Sequence, residues 1–250
     1  MVNTVLPDTR RGWFMLGCFV VAEVVFLVAS VLVLVPYAAI LRHGGASAPL
    51  PGGALVIALV VPTVVAGVVA VTGAGLVGRG SVRQRLCSEL SVRWRLRDIG
   101  IGLVLGVLGL VVTVPASVLW ARWVGERQAN SAVGSVFDGQ RLPLGLALTL
   151  FFAVWLVAPL CEEMLYRGVL WRAMEYWGWN RWVIFGLTTL LFSFAHLELL
   201  RTPLLVVISL PIALARLLSG NLLASIVAHQ ANNFLPAIGL LLITQGALPG

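Results

Sequence analysis

Residues 143–175 read PLGLALTLFFAVWLVAPLCEEMLYRGVLWRAME. Nineteen uncharged residues, Pro143 to Cys161, lead into two adjacent glutamates, Glu162 and Glu163, and Arg167 follows four residues after the second. An apolar run of this length is long enough to cross a bilayer as a helix. Ionisable groups inside such a run are costly, so each marks a functional position by default. The stretch therefore predicts two things together: a transmembrane helix, and a polar centre held within it.

The rest of the chain repeats the first feature. It is 60% apolar and 11% charged, and its mean hydropathy is +1.00, a balance that implies an integral membrane protein. Apolar segments lie near 13–41, 54–78, 99–121, 143–175, 182–200, 203–218 and 222–243, the sixth being short. They predict an all-α, polytopic helical bundle of about seven spans. Residues 1–250 read as one membrane-embedded domain, with amino-terminal spans and an arginine-rich segment in 1–142 and core helices in 143–243. Arg10-Arg11 precede an apolar run far longer than a signal peptide's core, so an uncleaved first span is expected.

All 17 basic residues are arginine, giving a net charge of +7. Arginines flanking apolar spans set orientation and touch anionic headgroups, so nucleic acid is not expected as a partner. Arg79, Arg83, Arg85, Arg93, Arg95 and Arg97 crowd residues 79–98, a cytoplasmic segment with an interfacial helix. Residues 122–142 read as a loop on the opposite side. Placing the amino terminus in the cytoplasm puts twelve arginines on or near that side and five outside, as the positive-inside rule requires. The expected location is the cell membrane, multi-pass.

Two further polar centres lie in later spans: His196, in Phe192-Ser193-Phe194-Ala195-His196, and His229, in His229-Gln230-Ala231-Asn232-Asn233. Trp171, Trp177, Trp179 and Trp182 suggest an interfacial belt. At the helical rise, Glu162 lies roughly 14–20 Å from that belt and His196 roughly 21 Å from Trp182. His229 lies roughly 13 Å beyond the Gly220-Asn221 break. Three residues distant in sequence thus reach comparable depth. Glu163 and Arg167 stand in the favourable i,i+4 order for an ion pair. Neighbours on a helix point about 100° apart, so Glu162 is expected to face elsewhere, free for chemistry. His196 should lie over Phe192, and His229 should share a face with Asn233. A carboxylate with an imidazole can activate water, and a second imidazole with an amide can bind an oxyanion. Glu162, His196, His229 and Asn233 fill those roles.

In that order, Glu162-Glu163-x-x-x-Arg167, Phe192-x-x-x-His196 and His229-x-x-x-Asn233 resemble the motifs of the CAAX prenyl protease and bacteriocin-processing (CPBP, or Abi) family of intramembrane endopeptidases. The motifs span residues 162–233. The resemblance implies a bundle with a cavity open to the cytosol or bilayer. It also implies that Glu162 and His196 activate water while His229 and Asn233 bind the oxyanion. Eukaryotic members remove three carboxy-terminal residues from isoprenylated proteins, and bacterial members act on peptides or in bacteriocin immunity. The expected activity is hydrolysis of a peptide bond near the cytoplasmic leaflet, in a membrane-associated peptide or protein. The motifs leave substrate, prenylation and oligomeric state open.

A zinc alternative would use Glu162, His196 and His229. The chain has no His-Glu-x-x-His pair, and asparagine is a poor zinc ligand, so metal-free chemistry is favoured. Asp8, Asp98 and Asp138 lie outside the apolar cores, leaving no aspartate dyad at depth, and no Gly-x-Ser-Gly occurs. Cys18, Cys87 and Cys161 offer neither a disulfide framework nor metal spacing, and Cys161 reads as a small hydrophobe. Gly73-Ala74-Gly75-Leu76-Val77-Gly78 matches a dinucleotide fingerprint by letter but closes a membrane span, where close packing is expected instead. His43, in a glycine-rich break, needs no role. Glu23, deep in the first span, is left without a place: facing the cavity and pairing with an arginine elsewhere are both open, as are a satisfied carboxyl and a catalytic role. The competing class is a non-enzymatic membrane protein: a transporter, or an immunity or scaffold protein. Transporters also carry carboxylates and histidines at depth, but the internal repeats common among them are absent here.

Overall fold

Helix follows helix because every apolar segment must satisfy its own backbone hydrogen bonds in lipid. A computed structural model describes residues 7–43, 51–78 and 80–248. The long helices are α1 (Thr9–His43), α2 (Gly52–Leu76), α4 (Leu96–Val124), α7 (Leu144–Tyr176), α9 (Thr202–Ser219) and α10 (Leu222–Gln245). All six are long and apolar enough to cross a membrane. The remaining expected span, the fifth in order, is α8 (Arg181–Ala195), and at 15 residues it is shorter than α9. The shortest span is therefore the fifth, not the sixth. It ends where Leu197 adopts a left-handed φ of 56°, a conformation disfavoured for a side chain of this kind.

The hydrophilic breaks hold short helices. Helix α3 (Val82–Glu89) opens with a capping box between Ser81 and Gln84, in which each residue satisfies a free backbone N–H of the other's turn. Residues 122–142 contain two short helices, α5 (Glu126–Ala129) and α6 (Ala132–Phe137). Arg79 and the glycine-rich break after His43 lie outside the described residues; His43 itself is the last residue of α1.

Packing follows the rule for helices in lipid, with small residues inward and large aliphatic ones outward. On α4, Val104, Val111 and Leu119 are exposed, while Gly102, Gly106 and Gly109 are buried. A Cβ on Gly102 would lie 2.4 Å from Ala224 O, and one on Gly106 would lie 2.8 Å from Ala228 O. Only glycine lets α4 meet the backbone of α10 this closely. The same device joins α1 to α2, where Gly73 faces the Cys18 sulfur, and α2 to α7, where Gly67 faces the buried Cys161 sulfur. Gly73 is part of the glycine-rich letters at the end of α2, and close helix approach is their use. Gly106→Val is expected to cost about 1–3 kcal/mol through overpacking. Gly100→Val, with nothing within 4 Å, should be nearly neutral. Thermal midpoints in detergent check the pair, and equal effects would refute the glycine contact.

The start of α10 is fixed by Asn221, which is fully buried. Its side chain caps Leu223 N, donates to Arg93 O and Asp98 Oδ2, and accepts from Arg93 N. Gly220, with φ of 62°, supplies the left-handed turn before it. Asp98 is thus buried, at the first turn of α4 rather than at depth. Trp13, Trp177 and Trp179 cluster at the same end of the bundle, with ring separations of 5.1 and 5.3 Å, as an interfacial belt does. Trp171 does not join them: it is buried, with its indole N–H donated to Glu175.

Candidate active site

Helix α7 carries the carboxylates and is not a uniform α-helix. Its turns widen to π geometry over Ala153–Val157 and again over Met164–Leu170, on either side of Glu162 and Glu163. Such insertions cluster at functional sites. The carbonyls of Val154 and Leu156, in the first wide segment, accept from the side-chain amides of Asn233 and Gln230 on α10. That contact seats α10 against α7 and aligns His229 with the glutamates.

Glu163 and Arg167 form the expected pair, with Nη1–Oε1 at 3.0 Å and both side chains at 0% exposure. The same Glu163 oxygen also lies 3.0 Å from His229 Nδ1. A carboxylate only accepts, so Nδ1 carries the hydrogen and Nε2 is the nitrogen left available. Nε2 faces Glu162 Oε2 at 3.7 Å. The two glutamates therefore do address one target, contrary to the expectation from their 100° separation. The imidazole sits between them, and each carboxylate reaches a different ring nitrogen.

His196 is the residue directly after the last turn of α8, not an interior residue of a span, and its side is open. Its Nδ1 donates to Phe192 O at 2.8 Å, which again leaves Nε2 free. The ring lies against Phe192, centroid to centroid 4.8 Å, as the spacing predicted. Phe192 also meets His229 at 5.7 Å and Tyr166 at 5.3 Å, both edge-on, and Arg167 lies 4.4 Å over its ring. The Arg167 nitrogens that lack a hydrogen-bond partner are offset by that cation–π contact. One aromatic ring thus touches both histidines and the buried ion pair. No direct hydrogen bond joins Glu162 to His196 among the described residues.

Asn233 shares the α10 face with His229 and spends one amide hydrogen on Val154 O at 3.2 Å, keeping a second. The neighbouring Asn232 points away, to Thr113 and Ile208 O.

Glu23 gains a partner that sequence reasoning missed. Tyr166 donates its hydroxyl to Glu23 Oε1 at 2.8 Å, and Glu23 lies within electrostatic reach of Glu162 and His196. Tyr166 stands four residues after Glu162, one helical turn away, but that spacing does not pair it with α1. Cys161 is buried against Gly67 and takes no part. Among the described residues, no three His, Cys, Asp or Glu side chains are disposed to hold a metal ion.

No curated protein and no solved structure matches the chain. A family model does match, over residues 144–235, under the description type II CAAX prenyl endopeptidase Rce1-like. That stretch runs from the first residue of α7 to within α10 and contains both glutamates, both histidines and Asn233. Over residues 144–235, this membrane protein is similar to the Rce1-like type II CAAX prenyl endopeptidases.

Proposed function

We propose that the protein is an intramembrane endopeptidase that hydrolyses a peptide bond in a membrane-associated substrate without a metal ion. The observation that carries this reading is the chain Arg167–Glu163–His229–Glu162, with the open Nε2 of His196 beside it. Glu162 and His196 are the water-activating pair. Glu162 has 28% of its side chain exposed and, among the described residues, no ion-pair partner other than His229. As water attacks the carbonyl carbon, its proton passes to Glu162, with His196 Nε2 orienting the water. The carbonyl oxygen gains charge and is met by the remaining amide hydrogen of Asn233 and by His229, which donates from Nε2 as the doubly protonated ring held between Glu163 and Glu162. The proton on Glu162 then goes to the departing amide nitrogen as the C–N bond breaks. Glu163 and Arg167 do not touch the reacting atoms. They fix the ring of His229, much as a buried carboxylate fixes imidazole in other hydrolases.

The catalytic cluster lies at a depth where the scissile bond must be drawn in from the interface. Glu23 on α1 is 10 residues, or roughly 15 Å of helix, from Trp13 in the belt. With the amino terminus cytoplasmic, the bond would be cut from the cytoplasmic leaflet. The substrate would be a peptide held to the bilayer by an apolar or lipidated segment, and removal of a CAAX-type tail is one member of that class.

Purified protein in nanodiscs, incubated with a library of membrane-tethered peptides and read by mass spectrometry, tests the activity. Discrete cleavage is expected. Under this metal-free reading, in which Asn233 serves the oxyanion and is a poor zinc ligand, treatment with a strong chelator should leave the rate unchanged within about twofold. Loss of activity with specific rescue by zinc would overturn the metal-free mechanism while keeping the protease.

A further inference from the structure

The end of the bundle that carries the tryptophan belt holds a second built feature, apart from Glu162. A cleft of about 1330 Å³ lies between the start of α1, the α3–α4 connection, the last turns of α7 and the end of α9. Eight arginines and three carboxylates line it. Each carboxylate is already engaged. Asp8 pairs with Arg11, Glu89 with Arg172 and the Tyr176 hydroxyl, and Glu175 with Arg172 and the Trp171 indole. Arg10, Arg95 and Arg97 have no side-chain partner among the described residues, so the cleft carries a surplus of positive charge.

Its floor carries a charge in an unusual setting. Arg216 is 2% exposed yet lines the cleft. Its Nε donates to Arg167 O at 3.0 Å, and its guanidinium lies 5.1 Å over Trp171 and 4.0 Å from Glu175. Arginine has five N–H donors, so most of this buried group's capacity is unspent. A planar fork of donors with loose anionic company suits phosphate oxygens.

The rim indicates how the phosphate is delivered. Arg93-Trp94-Arg95-Leu96-Arg97 alternates charge with bulk, and Arg93, Arg95 and Arg97 line the cleft while Trp94 and Leu96 do not. Trp94 is 80% and Leu96 86% exposed. Exposed tryptophan and leucine beside arginine at a membrane boundary suit acyl chains and headgroup together. We propose that this cleft binds the phosphate of an anionic phospholipid headgroup, with Arg95 and Arg97 at the mouth and Arg216 at the floor. The assignment is independent of the protease reading.

The test uses full-length protein, delipidated in a neutral detergent at physiological ionic strength. Phosphatidylglycerol, phosphatidylcholine or inorganic phosphate is added, and the thermal midpoint and lipid retained in native mass spectra are followed. Phosphatidylglycerol should raise the midpoint and remain bound, and phosphatidylcholine should do neither. The double variant Arg95→Gln/Arg97→Gln should weaken phosphatidylglycerol binding roughly twenty-five-fold, about fivefold per arginine. The variant Arg95→Lys/Arg97→Lys should keep most of it, which guards against a loss due to misfolding. Arg83→Gln/Arg122→Gln removes the same charge at residues that do not line the cleft and should change binding less than about threefold, since exposed surface charges are screened. Equal loss in both glutamine pairs, or no preference between the two lipids, would overturn the site. Protection by inorganic phosphate alone, lost in Arg95→Gln/Arg97→Gln, would keep the phosphate site but overturn the lipid as its occupant.

Discussion

Glu162→Gln is expected to lower peptide hydrolysis by roughly 10²–10⁴-fold, the range for removing a positioned general base, while leaving the thermal midpoint unchanged. Glutamine keeps the shape and the hydrogen-bonding reach of Glu162 but cannot take a proton from water. The fold should not notice the change, because Glu162 is partly exposed and touches His229 only loosely, at 3.7 Å. Cleavage of a tethered peptide, followed beside thermal unfolding of the same preparation, checks both halves. A glutamine variant with full activity would remove Glu162 from the role of base.

Arg167→Ala should act in the opposite way, through stability. Both members of the Glu163–Arg167 pair are at 0% exposure. Deleting one partner of such a pair costs about 3–5 kcal/mol, because the other charge is stranded in a low-dielectric interior. Loss of expression or a large drop in midpoint is the expected result. The double variant Glu163→Gln/Arg167→Met removes both charges and should recover much of the fold, since a neutral replacement of a buried pair is often tolerated. It should not recover turnover, because His229 Nδ1 then faces an amide instead of a carboxylate. Arg167→Ala that folds normally and loses only turnover would instead place Arg167 in the chemistry.

How much of this was legible in the sequence depends on the range of each interaction. The Glu163–Arg167 pair and the Phe192–His196 contact follow from spacing along one helix, and both lie where that spacing put them. The spans were legible because hydropathy over about twenty residues is a property of composition. The bracketing of His229 by two glutamates was not. A geometric rule about one helix treated the target as a point, whereas an imidazole offers a nitrogen on each edge. Nor could the position of His196 be read directly, since the end of α8 depends on the backbone of Leu197. Glu23 needed a partner 143 residues away, and no local pattern carries such a pairing. The wide turns in α7 were equally invisible, because the apolar letters of Ala153–Val157 suit an ordinary helix as well.

The close approach of glycine-bearing helices also bears on how the protein can be cut and recombined. The segment that matches the protease family begins at residue 144, yet α10 lies in a seat shaped by Gly102 and Gly106, and Cys161 in one shaped by Gly67. Tyr166 hands its hydroxyl to a residue of α1. Helices α7 to α10 are therefore not a portable cassette. Joined to the amino-terminal spans of another protein, they would carry every motif letter and still lack the surfaces against which those letters are held.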